Sequence, residues 1–153
     1  MLFRSGETIP SRVEHFQRTR DLQDRNGGFY AFVPWSFSPG GTPLGSKLKG
    51  LRANANDYLR IIAAARLYFD NIDHVDASWF SEGKKTGQVA LHFGADDFGG
   101  TLFDENVMQE AGHYVRTSVD EMRTMIREAG FVPAQRNTQY EVLEVFNEDA
   151  LEV

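Results

Sequence analysis

Residues 29–35 read FYAFVPW. Apolar side chains at every position leave neither face of this stretch polar. That is the pattern of a strand covered on both sides in a parallel sheet, not of a half-exposed antiparallel one. On its N-terminal side stands Gly27-Gly28, a helix stop, because glycine accepts the left-handed terminal conformation. The helix that it closes opens at a capping box, Ser11 with Glu14 three residues on, and runs to about Asn26. Met1–Phe3 is a short apolar start before it.

On the C-terminal side the same alternation continues. Residues 36–56 form a long loop rich in Gly, Pro and Ser. Residues 57–70 read as a helix apolar almost all round (Leu59, Ile61, Ile62, Leu67, Phe69). Val75, Ala77 and Trp79 alternate as in a strand. Residues 84–93 read as a helix closed by Gly94, and residues 98–103 as a strand. A second capping box, Ser118 to Glu121, starts a helix with Val119, Met122, Met125, Ile126 and Ala129 on one face. Gly130 stops it, and residues 131–134 read as a last strand. Strands alternating with helices predict an α/β chain with a parallel sheet. There are about four strand–helix units and a final strand, with no internal repeat. The acidic tail, residues 141–153, fits an edge strand, a short helix or a frayed end equally well.

Four such units fit either an open doubly wound sheet or half of an eight-stranded barrel. No Gly-x-Gly-x-x-Gly fingerprint and no Walker loop follows a strand, so a nucleotide-binding open sheet has no positive support. A whole barrel takes about 250 residues, and this chain has 153. Half a barrel leaves parallel edges that need a partner to cover them.

Composition bounds the function classes. Hydrophobic residues make up 41% and charged residues 25%, which is ordinary for a globular domain. The net charge is -6 with no basic block, which disfavours a phosphate backbone as partner. No 18-residue apolar run and no secretory leader pattern are present, so the expected compartment is cytoplasmic, with no membrane span. The chain has no cysteine. That excludes disulfides, thiolate zinc sites, a cysteine nucleophile and a cysteine-ligated iron–sulfur cluster held by this chain.

Four segments carry candidate chemistry. Arg4-Ser-Gly-Glu-Thr8 follows a strand, where a glycine lets a ligand approach the backbone and Glu7 can accept from an amine or a ribose hydroxyl. An ordinary strand–helix turn with a solvated Glu7 is the competing reading. Residues 32–44 put Trp35 and Phe37, rings able to stack on a planar ligand, beside Gly40-Gly41. The alternative is a structured loop with core aromatics, although loops this long are uncommon without a function. Residues 93–101, with Glu105-Asn106, gather Asp96, Asp97 and Thr101 among glycines. They can hold hydroxyls or a proton, or simply cap a helix and pack a strand. Residues 133–138 present Arg136, which can fork onto a carboxylate or be a surface arginine. His15, His74, His92 and His113 have no metal-ligand spacing. No Gly-x-Ser-x-Gly elbow supports a serine hydrolase.

Taken together, FYAFVPWSFSPGGTPLG, ARLYFDNIDHVDASWFSEG, GQVALHFGADDFGGTLFDENV and AGFVPAQRNTQY resemble dehypoxanthine futalosine cyclase, a radical S-adenosylmethionine (SAM) family of menaquinone biosynthesis. The resemblance extends to about Tyr140 and divides the chain into residues 1–140 and a tail, 141–153. A sister family, aminofutalosine synthase, shares the FGADDFGGT and ENV stretches; Trp35 and the Pro-Gly-Gly-Thr-Pro run favour the cyclase. The resemblance implies a TIM-type barrel of which this chain is the half with strands five to eight. It implies a [4Fe–4S] cluster and SAM as cofactors of the whole enzyme. A 5′-deoxyadenosyl radical would abstract a ribose hydrogen from a nucleoside-like substrate, and the carbon radical would close onto a benzoate ring. It implies SAM contacts from Glu7, Phe32, Val33 and Pro34, and substrate contacts from Trp35, Trp79, Asp96, Asp97, Thr101, Gln135 and Arg136.

Two departures stand out. The family commonly has Gly-His where this chain has Arg4-Ser5, which puts a large side chain at the edge of the expected SAM pocket. The Cys-x-x-x-Cys-x-x-Cys loop is absent. The isolated chain is therefore expected to hold no metal and to lack radical chemistry, as a truncated or split product, a mis-called start or a remnant. Its expected partner is the missing N-terminal half-barrel or, failing that, a second copy in a homodimer.

Overall fold

The computed structural model describes residues 1–39, 43–47, 53–101 and 116–147. Gly40-Gly41, residues 102–103 of the predicted strand, Glu105-Asn106, His113 and the last six residues of the tail lie outside the described residues. The described elements are β1 (Leu2–Phe3), α1 (Ile9–Asn26), β2 (Ala31–Phe32), β3 (Trp35–Ser36), α2 (Pro43–Lys47), α3 (Ala55–Tyr68), β4 (His74–Val75), α4 (Trp79–Glu82), α5 (Lys84–Ala90) with a 3-10 turn at Leu91–Phe93, α6 (Val119–Glu128), β5 (Ala134–Arg136) and β6 (Val142–Val145). The chain is α/β, with short parallel strands and one antiparallel pair.

The FYAFVPW stretch is two short strands rather than one. Proline has no amide to donate to a ladder, and Pro34 separates the pieces. β2 pairs in parallel with β4, Ala31 opposite His74 and Phe32 opposite Val75. β3 pairs in parallel with β1, Leu2 opposite Trp35 and Phe3 opposite Ser36. Residues 31–36 thus sit between β1 and β4. Asp76, just past β4, forms a further parallel bridge with Asp97. Four segments therefore lie side by side in chain order, all running the same way. Phe29 and Tyr30 are exposed, so the apolar run is longer than the buried strand.

The helix starts differ from expectation in an instructive way. Thr8, not Ser11, caps α1: its hydroxyl accepts from the Ser11 amide at 3.3 Å, and Pro10 occupies the first turn. Glu14 does not reach back to a cap; it pairs with Arg18 one turn on, at 2.5 Å. Pro in the first turn favours an earlier start, because its missing amide is unsatisfied there in any case. Gly27 ends α1 in the left-handed conformation, as expected. A true capping box opens α3, where Asn54 and Asp57 bond reciprocally. Ser118 caps α6 as expected, accepting from the Glu121 amide at 3.2 Å. Trp79, the last residue of the predicted strand, instead opens a helical turn, residues 79–82, with Ser78 before it and Gly83 after.

The core lies between the parallel strands and α1, α3 and α5. Phe3, Phe16, Phe32, Tyr58, Ile62, Val75 and Trp79 are buried in it. Met122, Met125 and Ala129 of α6 are buried as the periodicity predicts, while Val119 is half exposed. The last two strands break the parallel pattern. β5 pairs antiparallel with β6, through a turn made by Asn137. The Asn137 side-chain oxygen accepts the amides of Gln139 at 2.9 Å and Glu141 at 3.0 Å. An asparagine that bonds its own downstream backbone is a turn former. The tail therefore begins as a strand, one of the three forms its composition allowed.

Candidate functional site

The turn after β1 is built around Glu7. Its carboxylate accepts from the amides of Arg4 at 2.6 Å and Ser5 at 2.8 Å, and from Arg12 Nε at 2.8 Å. Burial opposes ionisation here, but the hydrogen bonds from the backbone and Arg12 outweigh it and lower the Glu7 pKa to about 2. The side chain expected to meet SAM is thus a permanently charged clasp of its own turn. Arg4 has a left-handed backbone (φ 65°), a conformation that a glycine takes without strain. Its guanidinium turns towards α3 and bonds Asp57 at 2.6 Å.

Arg4 is therefore tied to the first turn of α3 through Asp57. Replacing it with glycine relieves the left-handed backbone, which costs about 1–3 kcal/mol, and loses a half-exposed ion pair worth at most about 1 kcal/mol. Arg4→Gly is expected to unfold in urea at the wild-type midpoint or slightly above it. An unfolding free energy lowered by more than about 1 kcal/mol would mean that the Asp57 pair carries the turn.

Of the other residues assigned to SAM, Phe32 is in the core, edge-on to Phe16 at 5.3 Å between centroids. Pro34 is buried, and its carbonyl accepts from Ser78 Oγ at 3.1 Å. Val33 is half-buried. Trp35 is 41% exposed and meets Phe80 edge to face at 5.3 Å. Trp79 has no exposed surface.

The residues of the Asp96–Arg136 group do converge. Asp96, Asp97, Thr101, Gln135 and Arg136 line one cavity of about 470 Å³, whose apolar wall includes Met122, Ile126 and Phe131. Within it the two neighbouring aspartates have different duties. Asp96 is a structural tie: it accepts the Val75 amide at 2.8 Å, meets His74 Nδ1 at 2.6 Å and pairs with Arg66. Asp97 faces the other way. It takes both Nε and Nη2 of Arg136, the latter at 3.0 Å, and the Gly99 amide at 2.6 Å.

Three residues that sequence reasoning passed over complete this group. Asp76 is buried beside Asp97, and Ser78 Oγ lies 3.3 Å from its carboxylate. Tyr140 lies under the Arg136 guanidinium at 3.8 Å and stacks on His74 at 4.5 Å. The signal for Asp76 was present. If Val75 and Ala77 alternate on one face of a doubly covered strand, Asp76 and Ser78 occupy the other, and polar side chains there need partners.

With this geometry in place, comparisons with known proteins give the family. A model of the CofH/MqnC C-terminal region matches residues 26–149. The chain belongs to that family. Cyclic dehypoxanthine futalosine synthase of Streptomyces coelicolor is 46% identical over 151 residues, which covers 98% of this chain and 37% of the relative. The protein of the same name from Halalkalibacterium halodurans is 38% identical over 148 residues, 97% of this chain and 39% of the relative. A 5-amino-6-(D-ribitylamino)uracil–L-tyrosine 4-hydroxyphenyl transferase of Methanoculleus marisnigri is 42% identical over 140 residues, 90% of this chain and 38% of the relative. The chain thus spans well under half the length of these relatives. No helix among the described residues is long and apolar enough to cross a membrane. No group of three or more His, Cys, Asp or Glu among them is arranged to hold a metal ion.

Proposed function

We propose that this chain is the substrate- and SAM-side C-terminal part of a cytoplasmic radical SAM enzyme that cyclises dehypoxanthine futalosine in menaquinone biosynthesis. The observation that carries this is the 46% identity to the Streptomyces coelicolor synthase across 98% of the chain. The four parallel segments in chain order support a reading as strands five to eight of a barrel. The transferase reading is second. It is favoured by 42% identity to the Methanoculleus marisnigri protein, over a slightly shorter stretch. Aminofutalosine synthase remains a third relative of the same chemistry on motif resemblance alone.

The residues of this chain do not fit the iron–sulfur cluster: it has no cysteine, and clusters of this type need thiolates. The cluster would belong to the portion of the enzyme that this chain does not span. What the chain supplies is a wall. SAM would rest against Glu7, Phe32, Val33 and Pro34. Asp96, Asp97, Thr101, Gln135 and Arg136, which line one cavity, would meet the substrate together with Trp35; Trp79, buried in the core, would act only by supporting them. Hydroxyls of a nucleoside would bond the carboxylate and guanidinium, which position them and do no radical chemistry.

Co-expression tests this reading. The chain is produced alone, and together with the N-terminal portion of the Streptomyces coelicolor synthase. Iron content and release of 5′-deoxyadenosine from SAM are then measured. Iron and turnover are expected only for the pair, with dehypoxanthine futalosine as the substrate consumed. Consumption of the aminouracil and tyrosine instead would favour the transferase. A chain that forms a stable homodimer by light scattering and never joins its complement would establish it as a self-associating, non-catalytic module.

A further inference from the structure

Asp76 is 6% exposed, on a segment enclosed by Pro34, Tyr58 and Asp97. Its carboxyl lies beside the Asp97 carboxyl, with Ser78 Oγ at 3.3 Å, and Arg136 pairs with Asp97. Asp97 holds both fork nitrogens of Arg136 and the Gly99 amide, which leaves its carboxylate able to accept about one donor more. Gly99 has φ 70°, and a Cβ there would come within 3.2 Å of Asp76 Oδ2. The glycine therefore clears the space that the Asp76 carboxyl fills. Two buried carboxylates with a single guanidinium, paired to Asp97, leave a negative charge unbalanced. Like charges in one desolvated site cannot both ionise. Arg136 neutralises Asp97, so any proton in the pair belongs on Asp76.

We propose that Asp76 is a positioning residue. Protonated, it donates a hydrogen bond to Asp97 and so fixes Arg136 in the wall of the Asp97–Arg136 cavity. The assignment of that cavity to a substrate rests on the proposed function; the shared proton does not. Of the five N–H donors of Arg136, Nε and Nη2 serve Asp97, and Nη1 donates to the Asn137 carbonyl at 3.0 Å. Two donors remain to face a ligand, and their direction follows Asp97.

The surrounding charges act in the same sense. Burial, then the charge of Asp97, raises the Asp76 pKa to about 7. Tyr58, whose hydroxyl meets the Asp76 carbonyl at 3.4 Å, is kept protonated by burial. Glu82 adds negative charge on the Tyr58 side. Tyr140, under Arg136, is also shifted upward by burial. Below neutrality the cluster is Asp97 negative, Arg136 positive and Asp76 uncharged, and therefore balanced. Ionising Asp76 makes it net negative. Because the folded-state pKa is the raised one, the stabilisation is complete below the ordinary aspartate range and is lost as pH rises through about 7.

The test uses the full 153-residue chain labelled with 13C at the aspartate carboxyls and 15N at the arginine side chains, titrated by NMR from about pH 4 to 9. The expected result is one carboxyl resonance with a midpoint far above the other aspartates, and an Arg136 Nε resonance that moves with the same midpoint. Asp76→Asn keeps a donor towards Asp97. It should delete that carboxyl resonance, hold the Arg136 signal constant across the range and flatten the fall in Tm between about pH 4 and 7. A wild-type chain whose aspartates all titrate in the ordinary range overturns the proposal. So does a high-titrating resonance that survives in Asp76→Asn. If that variant does not fold, Asp97→Asn decides. Removing the like charge and freeing Arg136 must bring the remaining midpoint down, and an unchanged midpoint overturns the proposal. None of these readouts needs catalysis. A cyclase reading that fails on co-expression would leave the titration intact, and a failed titration would leave the cyclase reading standing.

Discussion

Trp79→Ala is expected to destabilise the chain by about 3–5 kcal/mol, the range for deleting a buried indole from a core. Against a total stability of about 5–15 kcal/mol, this leaves a substantial unfolded population. The site explains the size of the effect. Trp79 has no exposed surface, and its ring lies edge-on to Phe80 at 6.1 Å. α5 approaches so closely that a Cβ on Gly87 would come within 2.8 Å of the Trp79 Cβ. Backbone packed this tightly cannot collapse into the space that the indole vacates.

Trp79→Phe separates packing from polarity. The indole Nε1 is buried and has no hydrogen-bond partner among the described residues. An unsatisfied buried donor costs about 1–3 kcal/mol, so its removal offsets much of the smaller volume of the phenyl ring. Urea unfolding should place Trp79→Phe within about 1 kcal/mol of the wild type. A loss as large as that of Trp79→Ala would mean that the N–H is satisfied in the folded chain.

Trp79 also shows where sequence patterning stopped. Val75, Ala77 and Trp79 alternate, and the alternation is real as far as Ala77. A helical turn between Ser78 and Gly83 then swings the tryptophan into the core. Period-2 spacing over five residues does not distinguish a strand from a strand that ends in a turn. The longer elements were legible because their signals repeat. α3 and α6 have several turns of apolar periodicity with polar caps, and both appear close to the expected positions. FYAFVPW announced parallel burial, but the proline that splits its pairing was read only as one more apolar residue. The antiparallel hairpin was hidden in a single side chain, Asn137, whose turn-forming bonds are local and aperiodic. Within the site, the motif residues Asp97 and Arg136 were legible as chemistry, but their mutual pairing was not. Contact between residues 39 positions apart is set by topology.

Arg66→Ala is the second large effect expected, about 2–3 kcal/mol, from the loss of three hydrogen bonds, one of them charge-assisted on both sides. In the sequence this residue only interrupts an apolar helix. In the structure it is the rivet between α3 and the strand ends. Its Nε donates to the Gly94 carbonyl at 2.6 Å, its Nη1 to the Asp73 carbonyl at 3.0 Å, and its Nη2 pairs with Asp96. Its stem also packs on Gly94, where a Cβ would come within 2.7 Å of Arg66 Cγ. Arg66→Lys should recover less than half of the loss, because an ammonium cannot span three acceptors held in the geometry of a planar fork. Thermal or urea unfolding of both variants measures this, and a lysine variant as stable as the wild type would reduce Arg66 to a point charge. The consequence reaches the site. Asp96 already serves Arg66, His74 and the Val75 amide, so its substitution should register first as lost stability. Asp97, whose partner Arg136 stands in the cavity wall, should register in ligand affinity. Both adjacent aspartates of the Gly-Ala-Asp-Asp motif line the cavity, the first tied to Arg66, His74 and the Val75 amide, the second to Arg136 and the Gly99 amide.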